Sequence, residues 1–600
     1  MRRFRGLSPA VRQAAGPAVF FVFLSVLVTW PLVLHLGDRV PGWYIADNYE
    51  YLWKMWWFKR SLVDLHTSPL FVPNILYPSG FSLAFAELTP LHTLIGLPLT
   101  ILFGEIATYN LFCLASFVVS GWATYELVSR WTKSPLAGLF AGVVFVLNPY
   151  HVVRYGGILP LMAVEGIPLF LLGIEGWFSS RRLRWILLAA LGFLVSAWAS
   201  IYYLFGLVLL GPLYIAVRFA TGSSDAKDRK TLVHLAGLLG LCIAMVVPLA
   251  LPYLALRNRV KMEIPLQDTD YWSASPTDYL LPSGIHPLWG GWVSQNELGV
   301  PPEYPQIALE FVLGTGYVCL LFAVYGVAKT RRGAKWALVG LTGAAFVLSL
   351  GPTLHIGRHP LVIPAPATWV ASFNHLMDNL GGALPAHETY DMQSPIGLTI
   401  PLPALFLRWL IQPLTGMRAW NRFAAFFSLG LSLLAGLGFA AWVNTELASG
   451  SPRRKILLPL AFIGLAVFEL WPRPIPLQPI QGRPVDGWLA AEPDGGAIME
   501  LPLNSALSAP QMLYTRYHGK PIVFAYGTFL PYWYRSQYPE FQSCPEQACL
   551  DRLRSWGVGS VLLNRSDPSG GPALEAKLDA SPSLDRVATV GDHVVYRLLP

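Results

Sequence analysis

The sequence predicts an all-α polytopic membrane protein, with about eleven membrane-spanning helices over residues 1–471, and then a small extracytoplasmic α/β domain over residues 472–600. Three observations carry this expectation. The 600 residues are 54% hydrophobic and 13% charged, with a mean hydropathy of +0.46, outside the range of soluble globular chains. Apolar stretches long enough to cross a bilayer, about 20 residues each, recur from Pro17 to Trp471. After Pro472 the composition becomes that of a soluble chain, entered through the Pro-rich linker PRPIPLQPIQGRPVDG.

The first element is the apolar run from Gly16 to Leu36 behind the basic MRRFRG. It is longer than a signal-peptide core and no small-residue cleavage site follows, so it reads as a retained helix. The other spans are read at 106–129, 135–150, 158–178, 184–200, 201–218, 231–256, 308–328, 336–352, 422–443 and 455–471. Alternate connections carry Arg130 and Lys133; Arg181, Arg182 and Arg184; Lys227, Arg229 and Lys230; Lys329, Arg331, Arg332 and Lys335; Arg453, Arg454 and Lys455. All of these share a side with MRRFR, and the positive-inside rule makes that side the cytoplasm. The expected location is a cytoplasmic (inner) membrane, with the N-terminus inside and the segments 37–105, 257–307 and 353–421 and the tail outside. The formal charge of +8 is explained by these loops, and nucleic acid is not expected as a partner. Two further apolar stretches, 88–104 and 396–414, are broken by Pro90 and Pro98 and by Pro401, Pro403 and Pro413, and read as re-entrant or interfacial segments.

Residues 47–62, DNYEYLWKMWWFKRSL, follow the first span. Leu52, Met55, Trp56 and Leu62 fall at helical spacing with Glu50, Lys54, Ser61 and Asp64 on another face, and Trp53, Trp56 and Trp57 favour the headgroup level. The segment is expected to be an amphipathic helix lying in the outer interface. Asp47 has two compatible readings. In one, DNYE is a D-x-x-E pattern in which Asp47 caps the helix and Glu50 reaches back. In the other, Asp47, or Asp38 just past the first span, presents a carboxylate at the membrane surface, where a lipid-anchored phosphate ester meets a hydroxyl acceptor.

NPYHVVRYGG places His151 and Arg154 at the outer end of the third span. Arg154 suits a phosphate through its forked donors, and His151 can donate or take a proton; a snorkelling Arg and an interface His are the bland alternative. Arg418 and Arg422, in TGMRAWNRFAAF, are spaced i, i+4 at the outer end of the tenth span and are expected to face one way on a helix. Glu165 lies about two turns inside a span, where an ionisable group faces a cavity or a partner, here the donor cavity or Arg154, or else is a locally paired structural residue. Glu87 and His92 flank the re-entrant segment as weaker candidates. No phosphate-loop motif, no H-E-x-x-H and no close Cys/His cluster is present, and no internal repeat is evident.

In the tail, DGGAIMELPL, KPIVFAYG, GVGSVLLNR and DHVVYRLL read as strands, and DRLRSWG as a helix ending at Gly557. Cys544 and Cys549 suit an oxidising exterior if paired, the alternative being free thiols in a cytoplasmic domain, while Cys113, Cys242 and Cys319 lie in spans. Tyr514, Tyr517 and His518 are either acceptor-sugar contacts or ordinary surface residues.

An inside-to-outside first helix, a long outer loop with an early acidic residue, many spans and an outward C-terminal domain together resemble the type C (GT-C) membrane glycosyltransferases. The segments GEIATYNLF from Gly104, FVLNPYHVVRYGG from Phe145 and LSLGPTLHIG from Leu348 resemble uncharacterised bacterial members of that group. The resemblance implies transfer of a hexosyl or pentosyl unit from a polyprenyl-phosphate-linked donor to a cell-envelope glycan, lipid or protein acceptor outside the membrane. It implies Asp47, with Asp38 as its rival, as base or as ligand of a divalent cation such as Mg or Mn. Arg154, His151, Arg418 and Arg422 are then expected on the donor phosphate, with Glu165 and Glu87 lining the site. The Trp-Trp-Asp acceptor motif of oligosaccharyltransferases is absent, which points away from protein N-glycosylation. The same cavity also fits a transporter or flippase of lipid-linked saccharide, and a non-catalytic membrane scaffold is the third alternative.

Overall fold

The computed structural model describes residues 9–43, 47–222, 228–256, 262–296, 309–330, 333–392, 394, 396–447, 451–492, 496–503, 508–527, 529–567 and 570–600. The basic MRRFR, Lys227, Arg331 and Arg332 lie outside them. The first ten helices are α1 (Pro9–Val28), α2 (Asp47–Lys59), α3 (Leu97–Thr132), α4 (Pro135–Val146), α5 (Pro149–Tyr155), α6 (Leu159–Met162), α7 (Gly166–Ser180), α8 (Leu183–Ala199), α9 (Ile201–Thr221) and α10 (Arg229–Leu256). Further apolar helices follow at Tyr317–Lys329, Ala334–Ser349, Ala424–Thr445 and Pro452–Leu470.

A helix thus stands at each apolar stretch read as a span. Among the described residues, five are long and apolar enough to cross a bilayer alone, and six if α4 and α5, bent by 50°, count as one. This is a multi-pass membrane protein. The α4–α5 bend has a local cause: Asn148 accepts from the backbone N–H of Tyr150 at 3.0 Å and Pro149 opens the second helix, so the chain restarts there. In α3, Gly104 adopts φ +83° and breaks the helix, which joins the Pro-interrupted stretch 88–104 to the span behind it. The stretch 396–414 forms a strand, Gly397–Thr399, and a short helix, Pro403–Leu410, instead of a spanning helix.

The helix Ala424–Thr445 is the centre of the bundle, buried from Ala424 to Ala440. Its glycines set the packing distance. A Cβ on Gly438 would lie 1.9 Å from the carbonyl oxygen of Phe322, and one on Gly326 would lie 2.3 Å from that of Leu434, so the backbones of two helices touch there. At the opposite extreme, α10 is almost uncovered, with Leu232, Val233, Leu239, Ile243, Leu251 and Leu254 all exposed on a lipid-like face.

Three expectations are corrected. The helix read at 308–328 begins only at Tyr317, behind Gly316 with φ +82°, and leaves Glu310 in a separate 3-10 turn, Leu309–Phe311. The helix α2 is not an interfacial surface helix, because Asn48 to Met55 and Trp57 and Phe58 are all buried. It is covered by the helix Ser508–His518 of the tail on one side and by α3 and the turn Leu91–Ile95 on others. Polar atoms on it are satisfied accordingly, with Trp53 Nε1 donating to Thr515 Oγ1 at 3.2 Å and Trp57 Nε1 to the Pro69 carbonyl at 2.9 Å. In the tail, KPIVFAYG contributes only isolated bridges at Ile522, while Leu584–Val590 is a strand that the sequence reading missed.

The tail carries a four-stranded sheet in the order Leu584–Val590, His593–Leu598, Val558–Asn564, Ala497–Leu501, antiparallel except for the last pair. It is tied to the first outer loop by the antiparallel pair Arg39–Pro41 with Leu477–Pro479, by a bridge from Ile75 to Ile522, and by an ion pair between Arg516 and Glu105 of α3. Cys544 and Cys549 form a disulfide with Cα atoms 5.4 Å apart.

Candidate functional site

Glu310 is the point on which the charged side chains converge. Its neighbour Phe311, fully buried, stacks on Trp272 at 6.0 Å and lies under the guanidinium of Arg358 at 3.6 Å, which in turn is held by Asp278 at 2.5 Å. The turn is therefore fixed, and its carboxylate is presented to two arginines. Arg154 Nη1 of α5 reaches Glu310 Oε2 at 2.9 Å, and Arg422 Nη1 donates to the same oxygen. The Glu310 carbonyl accepts from Arg154 Nη2 at 3.3 Å and from Asn421 Nδ2 at 3.0 Å. Burial alone pushes the Glu310 carboxyl up, but Arg154, Arg422 and then Arg418 outweigh it and hold it at about 2.

The cluster has more positive charge than Glu310 answers. The Nε atoms of Arg154 and Arg422 are buried without a hydrogen-bond partner among the described residues, and these side chains are only 1% and 7% exposed. Arg418 adds a third guanidinium, lying over the Trp272 ring at 5.1 Å. Arg418 and Arg422 do not share a helix face as the spacing suggested, because Trp420–Phe423 is a 3-10 turn preceded by extended backbone at Met417 and Ala419. They converge through the turn instead.

Asp47 stands within the field of this cluster. It is half-buried, its Oδ1 accepts a hydrogen bond from the hydroxyl of Tyr526 in the tail, and Oδ2 makes none among the described residues. Burial raises its carboxyl above the ordinary range; the Tyr526 hydrogen bond opposes this, Glu310 adds to it, and Arg418 and Lys54 oppose it. Glu50 does not reach back as a cap: it pairs with Lys54 at 2.6 Å, and burial pushes its carboxyl to about 7 against the pull of that lysine. Lys54 Nζ also donates to the Glu87 carbonyl at 2.8 Å. The Glu87 carboxylate accepts from Ser200 Oγ at 2.7 Å and from the Ile201 N–H at 2.9 Å, so it caps the start of α9, where a negative charge suits the helix dipole. Burial raises its carboxyl.

Five of the eight residues singled out from sequence are thus gathered: Asp47, Glu87, Arg154, Arg418 and Arg422. Three are not. Asp38 is exposed, 3.3 Å from His35 and 3.6 Å from Arg39. His151 is turned into the helix packing, with Nδ1 3.1 Å from the Val146 carbonyl and Nε2 3.1 Å from Ser116 Oγ. Glu165 lies against the same Ser116 hydroxyl and not against Arg154, whose carboxylate partner is Glu310. Glu310 was legible in principle, as an acid inside the apolar IALEFVLG, by the rule that singled out Glu165. Tyr526 had no signal, being 479 residues from its partner.

Among the described residues, no three His, Cys, Asp or Glu side chains converge to hold a metal ion. Glu310 and Glu50, the carboxylates whose charge is felt at or from Asp47, are both paired to cations, and Lys54 and Arg418 oppose a divalent ion there. Among the described residues, the donor set does not fit a dedicated metal site.

Three of the solved structures that the chain resembles, all of low identity, are the following. ArnT from Cupriavidus metallidurans bound to undecaprenyl phosphate is 14% identical with a TM-score of 0.46, over 97% of this chain and 98% of that one. The Archaeoglobus fulgidus oligosaccharyltransferase in complex with Zn and sulfate is 14% identical with a TM-score of 0.45, over 92% and 68%. The oligosaccharyltransferase AglB of the same organism, with an inhibitory peptide and a dolichol-phosphate, is 13% identical with a TM-score of 0.43, over 92% and 69%. Oligosaccharyltransferases are among the type C enzymes that the sequence resembles, and likeness at this level assigns no activity. No curated protein sequence matches the chain. Residues 18–377, more than half of the chain, match the family described as a domain of unknown function, DUF6311, and the chain belongs to that family.

Proposed function

We propose that the protein is a membrane glycosyltransferase that moves a sugar from a polyprenyl-phosphate-linked donor to an acceptor hydroxyl on the extracytoplasmic side. One observation carries the reading: two arginines share a single carboxylate and each keeps a buried N–H donor unpartnered among the described residues, a third arginine adds its charge, and Asp47, with one oxygen unengaged among the described residues, lies within their field. That is the arrangement a phosphate leaving group and a hydroxyl nucleophile require. Arg154, Arg422 and Arg418 bind the donor phosphate. Asp47 Oδ2 takes the acceptor proton as the acceptor oxygen bonds to the anomeric carbon, and the phosphate leaves with the electron pair of the broken carbon–oxygen bond, its charge held by the arginines.

In this reading the chain has eleven spans in residues 1–471 and an extracytoplasmic α/β domain in residues 472–600, with the N-terminus in the cytoplasm. The Cys544–Cys549 disulfide supports an oxidising side for that domain. The test is release of lipid phosphate from a panel of polyprenyl-phosphate hexoses and pentoses by purified protein in nanodiscs. Asp47→Asn is expected to bind donor at least as tightly as the native protein and to lose release by on the order of 10²–10⁴-fold, while Asp38→Asn keeps the native rate. Tight donor binding without release by the native protein would reject the transferase in favour of a lipid-linked saccharide transporter.

A further inference from the structure

We propose that Tyr526 is a positioning residue of the Asp47 centre, so that the working site is composite, assembled from the first outer loop and the tail. This rests on the transferase reading above. The hydroxyl of Tyr526 donates to Asp47 Oδ1, and this is the only hydrogen bond of that carboxylate among the described residues. It fixes which oxygen remains for the acceptor: Oδ1 is engaged, and Oδ2 is left to take a proton. A carboxylate held at one oxygen has its plane set, which is the geometric demand of general-base chemistry.

Tyr526 is itself held from several sides. Its backbone N–H lies 3.0 Å from the Met512 sulfur in the helix Ser508–His518, and that helix packs on α2, the element that carries Asp47. Thr515 of the same helix accepts from Trp53 of α2 at 3.2 Å, and Arg516 pairs with Glu105 of α3. Two residues before Tyr526, the carbonyl of Phe524 accepts from the Leu76 N–H at 3.1 Å. The hydroxyl is therefore brought to Asp47 by a docked unit, and would be absent from the site if that unit were displaced.

The electrostatic consequence is readable. Asp47 is faced by Tyr526 from the tail, by Lys54, Glu50 and Tyr51 on its own helix, by Tyr109 of α3, by Glu310, and by Arg418. Burial raises its carboxyl, and the Tyr526 hydrogen bond is the foremost influence that lowers it. A base acts only when ionised, so transfer falls as the pH drops through the Asp47 pKa; removing the Tyr526 hydroxyl moves that fall to higher pH.

The experiment uses the full chain in nanodiscs and two readouts across the pH range. One is lipid phosphate release from the polyprenyl-phosphate sugar panel; the other is binding of undecaprenyl phosphate, which ionised Asp47 weakens by repulsion. Asp47→Asn supplies the baseline that removes the titration of the phosphate itself. Tyr526→Phe is expected to shift the acid limb of release, and the Asp47 component of binding, upward by about one pH unit. It is also expected to lower kcat more than KM, and to change nothing further when combined with Asp47→Asn. A Tyr526→Phe protein with the native limb and binding midpoint would overturn this inference and leave Asp47 as the base. So would an effect that adds in full to that of Asp47→Asn. An Asp47→Asn protein that releases and binds as the native one does would overturn the role of Asp47 as base and this inference with it, whereas absence of release from the native protein would instead overturn the transferase reading itself.

Discussion

At the scale of single residues, the charges near α2 have opposite vulnerabilities. Arg154 shares its carboxylate with Arg422, so Arg154→Ala leaves Glu310 paired while removing donors proposed for the phosphate. Its expected effect is a loss of undecaprenyl phosphate affinity on the order of a hundredfold, measured by direct binding. Among the described residues, Lys54 has no such substitute as a partner of Glu50. Lys54→Met strands a buried Glu50, at a cost of about 3–5 kcal/mol in thermal or denaturant unfolding. The sign of the pH dependence follows from Glu50: its folded carboxyl titrates at about 7, above the ordinary 4.5, so the folded state holds a proton that the unfolded state gives up. Its contribution to stability is complete below about 4.5 and is lost as pH rises to about 7. Without Lys54 the folded carboxyl rises further, and the decline in stability extends to higher pH.

At the scale of elements, the central helix Ala424–Thr445 works by omission of side chains. Gly438 and Gly326 let its backbone meet the helix Tyr317–Lys329, and no rotamer can relieve a Cβ placed against a main-chain carbonyl. Gly438→Leu is expected to destabilise the protein by about 3 kcal/mol or to prevent assembly, whereas Gly343→Ala, in the interior of the helix Ala334–Ser349 and meeting nothing within 4 Å, folds normally with a melting temperature equal to the native one or slightly above it. The glycine content of these helices was visible in the sequence, but which glycines face a backbone was not, because the period of a uniformly apolar helix does not mark one face. The helix α2 failed for the same kind of reason. Glu50 and Lys54 share a face as read, but they meet each other and the Glu87 carbonyl instead of water.

At the scale of the whole molecule, the first outer loop and the tail form one connected unit. Strand pairing at Arg39–Pro41, the α2 contact and the Arg516–Glu105 pair all cross between regions more than 400 residues apart. A chain ending at Trp471 therefore loses the cover of α2 and the Tyr526 hydroxyl together. Such a truncation is expected to lose lipid phosphate release and to become sensitive to limited proteolysis after Lys54 and Lys59, which the intact chain resists.

The sequence by itself determined the multi-pass helical class, the positions of the apolar helices and the types of residue at the site, because length, apolarity and helix-breaking Pro and Gly act locally and leave a periodic record. Asp47, Arg154 and Arg422 were legible as charges where a membrane protein keeps few. Only the tertiary structure decided that Glu310 joins Arg154 to Arg422, that His151 and Glu165 turn away to Ser116, and that Tyr526 reaches Asp47. Pairing between distant segments depends on where the chain returns, and neither hydropathy nor spacing encodes that; it follows from the packing of buried helices whose close contacts are set by glycine, and from the need of every buried charge for a partner.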